Sequence, residues 1–206
     1  TAPAIAVSAL RSLSDGEDQI LLILPSDHQI TNKKQFLNSI KKAKSAALEG
    51  KIVTFGIKPN NPSTGFGYIK AKGVFEKNIN KPYQIEKFIE KPNKDLAESI
   101  YQDNHYSWNS GIFMAKASIL IQELEFYSPE IILHCRDSLK NKLVDLDFER
   151  LEPASFRKCP NISIDKLIME KTSLGVVFPL EVDWSDIGSW KSFWEKSPKD
   201  KNGNVL

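Results

Sequence analysis

The stretch Gln19-Ile-Leu-Leu-Ile-Leu-Pro-Ser-Asp-His28 constrains this chain more than any other. Five aliphatic residues in a row, Ile20 to Leu24, stop at Pro25, and an acid follows at Asp27. An unbroken apolar run of that length predicts a strand buried on both faces of a mostly parallel sheet. Open α/β sheets take their ligands beyond the carboxyl ends of their strands. Asp27 therefore stands where a metal or a phosphate would be handled. Pro, Ser and Asp are also ordinary turn residues, and this stretch alone does not separate the two readings.

The flanking pattern extends the α/β reading. Ile5, Ala6, Ala9, Leu10 and Leu13 recur at helical spacing, which predicts a helix over 2–13, with Thr1 as its cap and Pro3 in its first turn. Phe36, Leu37, Ile40, Ala43, Ala47 and Leu48 form one apolar face opposite lysines, and Gly50 supplies a stop. Lys51–Ile57 is strongly β-prone. Strand, helix and strand in this order make a βαβ unit with a right-handed crossover. Further strands are expected at Tyr68–Ala71, at Tyr83–Glu90 by its alternation, after Asn109-Ser-Gly111, and at Leu174–Leu180. Helices are expected over 93–101, over 117–146 with a break near Ser128-Pro129, over 162–171 in part, and after Gly188.

Composition narrows the classes of function. The chain has 206 residues, 41% of them hydrophobic, enough for one substantial core. Its 28 basic and 26 acidic residues are interspersed and leave a net charge of +2, which gives no electrostatic case for nucleic acid or a membrane surface. No apolar run reaches transmembrane length and no signal peptide is visible. Cys135 and Cys159 lack metal-ligand spacing. Reduced thiols in a cytoplasmic protein are the simpler reading, with a disulfide between them left open. His28, His105 and His134 are scattered.

Several short motifs carry polar chemistry at strand ends. Pro59–Gly67 is turn-rich, with Gly65 and Gly67 on either side of Phe66, and glycine lets a backbone approach a ligand closely. Glu90-Lys91 closes a strand and reads equally well as a solvated ion pair. Asn109-Ser-Gly111 lies between Trp108 and an apolar strand, and a second acid, Asp186, precedes Gly188.

Taken together and in order, six blocks resemble the mannose-1-phosphate guanylyltransferase family. They are Leu-Pro-Ser-Asp-His (24–28), Pro-Ser-Thr-Gly-Phe-Gly-Tyr-Ile (62–69), Phe-Ile-Glu-Lys-Pro (88–92), Trp-Asn-Ser-Gly-Ile-Phe (108–113), Ser-Ile-Asp-Lys-Leu-Ile-Met-Glu-Lys (163–171) and Trp-Ser-Asp-Ile-Gly-Ser-Trp (184–190). The likeness includes the opening Thr-Ala-Pro-Ala-Ile-Ala. It is closest to the bacterial type that can carry a C-terminal phosphomannose isomerase module.

The resemblance implies a Rossmann-like α/β/α sandwich of the nucleotide-diphospho-sugar transferase kind, around a mixed, largely parallel sheet. It implies an enzyme of GDP-mannose biosynthesis for polysaccharides, joining mannose 1-phosphate to GTP and releasing pyrophosphate, with Mg2+ as cofactor. By the same likeness Asp27 and Asp186 hold the metal, and with Lys91, which faces a phosphate, they are the catalytic residues. Glu90 accepts from mannose hydroxyls, Gly65 lets the backbone near the sugar, and Asn109 contacts the sugar or its phosphate. Thr1, Ala2, Pro3 and Ala4 lie near the guanine nucleotide. Asp165, Trp108 and Trp190 are read as packing or helix-capping residues. A homo-oligomer is compatible with all of this.

One departure is large. The glycine-rich signature loop of the family, with its arginine and lysine, and the first strand both precede the equivalent of Thr1. Residues 1–206 are thus expected to be a partial nucleotidyltransferase domain of a longer polypeptide, inactive by themselves. Two rival expectations remain: a non-catalytic regulatory subunit that binds a sugar nucleotide, and a piece of a bifunctional chain that also isomerises mannose 6-phosphate.

Overall fold

In the computed structural model, which describes residues 1–76 and 81–205, the opening segment forms α1 (Ala2–Ser14). Pro3 lies in its first turn, where a missing amide donor costs nothing. Thr1 precedes the helix without capping it. Its hydroxyl instead accepts from the Ile164 amide at 3.1 Å, tying the start of the chain to a segment far along it. β1 (Ile20–Ile23), β2 (Gln29–Ile30), α2 (Lys33–Leu48) and β3 (Ile52–Ile57) follow. The Asn32 side chain caps α2 by accepting from the Gln35 amide, and Gly50 takes a positive φ just past its end.

The rest comprises β4 (Tyr68–Ala71), β5 (Tyr83–Ile89), α3 (Lys94–Ile100), β6 (Tyr106–Lys116), α4 (Ala117–Tyr127) and α5 (Pro129–Lys140). After these come β7 (Leu143–Asp145), β8 (Phe148–Arg150), α6 (Pro153–Phe156), a π-helix at Asp165–Met169, β9 (Gly175–Pro179), β10 (Trp184–Ser185) and α7 (Trp190–Lys196). The break at Ser128-Pro129 falls as expected. The helix expected to run on to 146 does not: past Asn141 the chain turns into the exposed hairpin β7–β8, with Leu146 at a positive φ in its turn.

The main sheet has the order β1-β6-β3-β9-β5-β4, with β4 pairing also to β6. It is mixed, but the expectation of a largely parallel sheet is corrected. Among the described residues only β3–β9 is a parallel ladder. The cause is β6, which lies between β1 and β3 and runs against both, so the βαβ partners are parallel to each other without touching. β1 is likewise not buried on both faces. It is hydrogen-bonded on one edge only among the described strands, and Leu22 is 38% exposed.

β6 organises the rest. β3 follows one of its edges, from Met114 to Trp108, across a bulge between Thr54 and Gly56. The opposite edge is shared: β1 pairs along Phe113–Lys116 and β4 along Tyr106–Trp108. Residues 109–112 lie in the gap between those two ladders, and the polar Asn109-Ser-Gly111 motif falls there.

Successive strand residues face opposite ways, and two cores result. Ile52, Ile69, Phe113 and Val177 pack on one face against α1, α4, α5 and the π-helix. Val53, Phe55, Trp108 and Met114 pack on the other against α2 and α3. Leu124 of α4 is fully buried in the first core. Leu124→Ala is expected to cost about 3 kcal/mol and to lower the melting temperature by roughly 6–12 °C in a domain of this size, measured by thermal circular dichroism.

Candidate active site

Asp27 and Asp186 are far apart in sequence, and a two-residue ladder joins them. β2 pairs antiparallel with β10, Gln29 opposite Ser185 and Ile30 opposite Trp184. One step beyond the ladder, His28 and Asp186 fall opposite each other, with Asp27 next along the chain. His28 feels the charge of both acids. The Trp184 indole N–H donates to His28 Nδ1 at 3.2 Å, so neutral His28 carries its proton on Nε2, which lies 3.9 Å from Asp27 Oδ1. Burial pushes the imidazole pKa down, while the charges of Asp27 and Asp186 pull it up, so both carboxylates act on this ring. Asp27 itself faces solvent, with its side chain 78% exposed. A Cβ on Gly188 would lie 2.7 Å from Asp186 Oδ2, so only glycine leaves that carboxylate its place.

A second group gathers around Glu90, at the end of β5. The Asn109 amide donates to the Gly67 carbonyl at 2.8 Å, and a Cβ on Gly67 would come within 2.8 Å of Glu90 Oε2. Asn109 Nδ2 donates to Asp165 Oδ1 at 2.7 Å, and the buried Thr54 hydroxyl donates to Asn109 Oδ1 at 2.8 Å. Burial first, and then the negative charge of Asp165, raises the Glu90 pKa. Asp165 is raised by burial as well, against the opposing effect of its bond from Asn109. Lys91 Nζ stands 3.9 Å from Glu90 Oε1 with its side chain 64% exposed, so its charge is available to a ligand.

The two groups share one wall. Gly111, two residues from Asn109 on β6, has φ +70°, and a Cβ there would meet Pro25 at 3.4 Å and His28 at 3.7 Å. Phe66, between the paired glycines, meets Trp108 in a tilted contact (4.9 Å between centroids) and Trp184 edge-on (5.3 Å). Backbone strain concentrates here too. Lys91 and Ile187 are two of the three non-glycine residues with positive φ among those described, and each adjoins a proposed functional acid.

Several sequence expectations change in detail. Gly65 is exposed, and a Cβ there would meet only Ser63 Oγ at 3.6 Å, whereas a Cβ on Gly67 would press on the protein's own Glu90. Ala2 is fully buried, so of the opening residues only Thr1 and Ala4 are exposed, with Pro3 between the two classes. Asp165 neither packs nor caps, because its carboxylate reaches into the Asn109 and Glu90 group. Trp108 is a packing residue, whereas Trp190 is 87% exposed. Sequence reasoning passed over His28 and Thr54. His28 had a usable signal in its place beside Asp27, and Thr54 had one as a lone hydroxyl inside an otherwise apolar strand. Cys135 and Cys159 are free, their sulfurs 3.7 Å apart.

A cavity of about 690 Å3 opens on the other side of the β2–β10 ladder, lined by Thr31, Ile57, Tyr106 and Leu180 among others. None of the acids at the wall reaches it, and it is not the site described above.

The nucleotidyl transferase family profile matches residues 1–203. The chain belongs to the nucleotidyl transferase family. The resemblance read from the six blocks is borne out by relatives such as the mannose-1-phosphate guanylyltransferase of Escherichia coli, which is 42% identical over 209 residues. That alignment spans 100% of this chain and 45% of the relative, so the chain covers under half the length of the curated protein it matches. Among solved structures, mannose-6-phosphate isomerase from Helicobacter pylori superimposes with a TM-score of 0.79 at 32% identity, over 90% of this chain and 70% of that one. Mannose-1-phosphate geranyltransferase from Thermus thermophilus superimposes with a TM-score of 0.79 at 27% identity, over 95% and 54%. No helix among the described residues is long and apolar enough to cross a membrane.

Proposed function

We propose that residues 1–206 are part of the nucleotidyltransferase domain of an enzyme that joins mannose 1-phosphate to GTP, releasing pyrophosphate and forming GDP-mannose. The observation that carries this reading is the β2–β10 pairing, which brings the segments of Asp27 and Asp186 together beside His28, next to the β6 segment that holds Asn109. A phosphate oxygen of the sugar phosphate attacks the α-phosphorus in line. No covalent nucleophile on the protein is needed, so the work of the side chains is positioning and charge balance.

The donor set fits magnesium. That ion uses one or two carboxylates and takes its remaining ligands from water and substrate phosphates, and Asp27 and Asp186 are two carboxylates on segments joined by the β2–β10 ladder. Asp27 and Asp186 would hold it, and it would neutralise phosphate charge. Glu90 accepts from sugar hydroxyls, held against Gly67. Lys91 offers a mobile ammonium to a phosphate, and Asn109 is held in place by Thr54 and Asp165. Thr1 and Ala4 are the parts of the opening segment left open to a nucleotide.

The full-length protein is expected to release pyrophosphate from GTP only when mannose 1-phosphate and a divalent metal are both present, followed by a coupled phosphate assay. Calorimetric binding of GDP-mannose with no turnover under those conditions would replace catalysis by a regulatory role.

A further inference from the structure

We propose that Asp165 and Glu90 act as one acceptor pair for two neighbouring hydroxyls of the sugar, which makes Asp165 a residue that determines which sugar is accepted. This rests on the sugar-phosphate reading of the site.

An ionised carboxylate only accepts, and its two oxygens offer about four lone-pair positions. Glu90 is 18% exposed, yet among the described residues nothing donates to it, and its nearest cation, Lys91 Nζ, is 3.9 Å away. Asp165 receives one side-chain hydrogen bond, from Asn109. Two partly buried carboxylates therefore share one side-chain donor between them. Carboxylates in a partly buried setting are ordinarily hydrogen-bonded, here by water until a ligand replaces it. Burial first, and then the charge of Asp165, raises the Glu90 pKa, so the two charges also disfavour each other. A ligand that brings hydroxyl hydrogens to both would take the place of that water and offset the repulsion.

The surroundings stop the pair from relaxing in other ways. Glu90 Oε2 fills the space above Gly67 where a Cβ would be. Asp165 opens a π-helix, a geometry frequent at functional sites, and three of that helix's residues, Leu167, Ile168 and Met169, are buried in the core. Asn109 has its orientation set from both ends. Because Asp165 accepts, Asn109 must turn its NH2 toward it, which leaves Oδ1 for the Thr54 hydroxyl and the Gly111 amide. One Asn109 N–H remains for a ligand oxygen. The wall thus offers acceptors at two carboxylates and a single donor beside them, which suits a polyol whose adjacent hydroxyls donate and one of whose oxygens accepts.

The test uses full-length protein, GTP, and mannose 1-phosphate with its 2-, 3-, 4- and 6-deoxy analogues. The wild type is expected to lose about 10²-fold or more in kcat/KM for the two analogues that lack a partnered hydroxyl. Asp165→Asn should lose about 10-fold or more on the parent sugar phosphate, mainly through KM, and should no longer discriminate against one of those two analogues. Glu90→Gln should do the same for the other, at an adjacent carbon. The buried Thr54 hydroxyl bonds Asn109 Oδ1 and the Ile112 carbonyl, so Thr54→Val can reach the sugar only by way of Asn109 and the strand and should slow every substrate by one common factor.

If Asp165→Asn behaves as Thr54→Val does, Asp165 merely holds Asn109 and the proposal is overturned. Should Asp165→Asn fail to fold, judged by its melting curve, Glu90→Gln decides: loss of discrimination at a single carbon supports the pair, and a uniform loss overturns it. If the wild type releases no pyrophosphate at all, the assigned activity is what has failed. The pair is then read by titration calorimetry of GDP-mannose and its deoxymannose analogues, where equal losses in wild type and Asp165→Asn for every analogue overturn it.

Discussion

Asp27→Asn and Asp186→Asn are each expected to lower kcat for GDP-mannose formation by about 10²–10³-fold, equivalent to roughly 2.7–4 kcal/mol of transition-state stabilisation. Asparagine keeps the size and shape of each side chain, removes the charge and puts an NH2 donor where one acceptor oxygen was. Asp27 is 78% exposed, so its substitution should leave the melting temperature nearly unchanged. Asp186 fits against Gly188, and an amide fills the same space. The loss should therefore appear in catalysis and not in folding. It should also appear as a rise in the metal concentration needed for half-maximal rate, by about 10-fold or more, as each variant leaves one carboxylate where there were two. Asp183→Asn is the control: Asp183 is three residues from Asp186 but is ion-paired with Lys196 and lines the cavity across the ladder. Wild-type rates and metal dependence in either Asp27→Asn or Asp186→Asn would remove that residue from the metal site.

Residue order could carry the elements but not the sheet. The helices near 2–13 and 32–48 and the strands after them follow from apolar periodicity, which depends on near neighbours alone. Direction in the sheet does not. The run from Ile20 to Leu24 has the composition of a doubly buried parallel strand, yet its partner is the distant β6, antiparallel, with one edge left free among the described strands. Nothing local to those five residues encodes that. The hairpin at 143–150 failed for the converse reason. Its apolar residues, such as Leu143 and Phe148, are exposed, so they neither report a buried face nor obey a period.

The site divides in the same manner. Asp27, Glu90, Lys91, Asn109 and Asp186 end or interrupt strands, where polar residues stand out against apolar runs, and β6 adjoins both groups, through Asn109 at Gly67 and Gly111 at His28. Asp165 escaped because it lies in a helical segment where an acid reads as a cap. Only the crossing of the π-helix against β6 puts it on Asn109. His28 escaped because histidine spacing along the chain says nothing about a ring that the β2–β10 ladder sets against Trp184, within the field of two acids.

The paired glycines around Phe66 show most sharply what folding adds. On paper Gly65 and Gly67 are equivalent; in space they are not, and Gly67→Ala is expected to raise KM for mannose 1-phosphate by about 10–100-fold, since displacements near 1 Å at a reacting site cost up to about 10². Neither residue has a positive φ, so alanine is compatible with the backbone at both. The difference is room. At 67 a Cβ would stand 2.8 Å from Glu90 Oε2 and 3.3 Å from the Phe88 ring. Phe88 is 8% exposed and packed in the core, so the carboxylate, as the free end of a flexible side chain, is what moves. The cost therefore falls on sugar binding more than on stability, where overpacking of this kind amounts to about 1–3 kcal/mol. At 65 a Cβ makes only an ordinary 3.6 Å contact with Ser63 Oγ on an exposed loop. Gly65→Ala should keep KM within about twofold and leave stability within about 0.5 kcal/mol. Steady-state kinetics on the two variants settle which glycine serves the sugar: a large KM effect at 65 with none at 67 would return the close approach to Gly65 and detach Glu90 from the sugar.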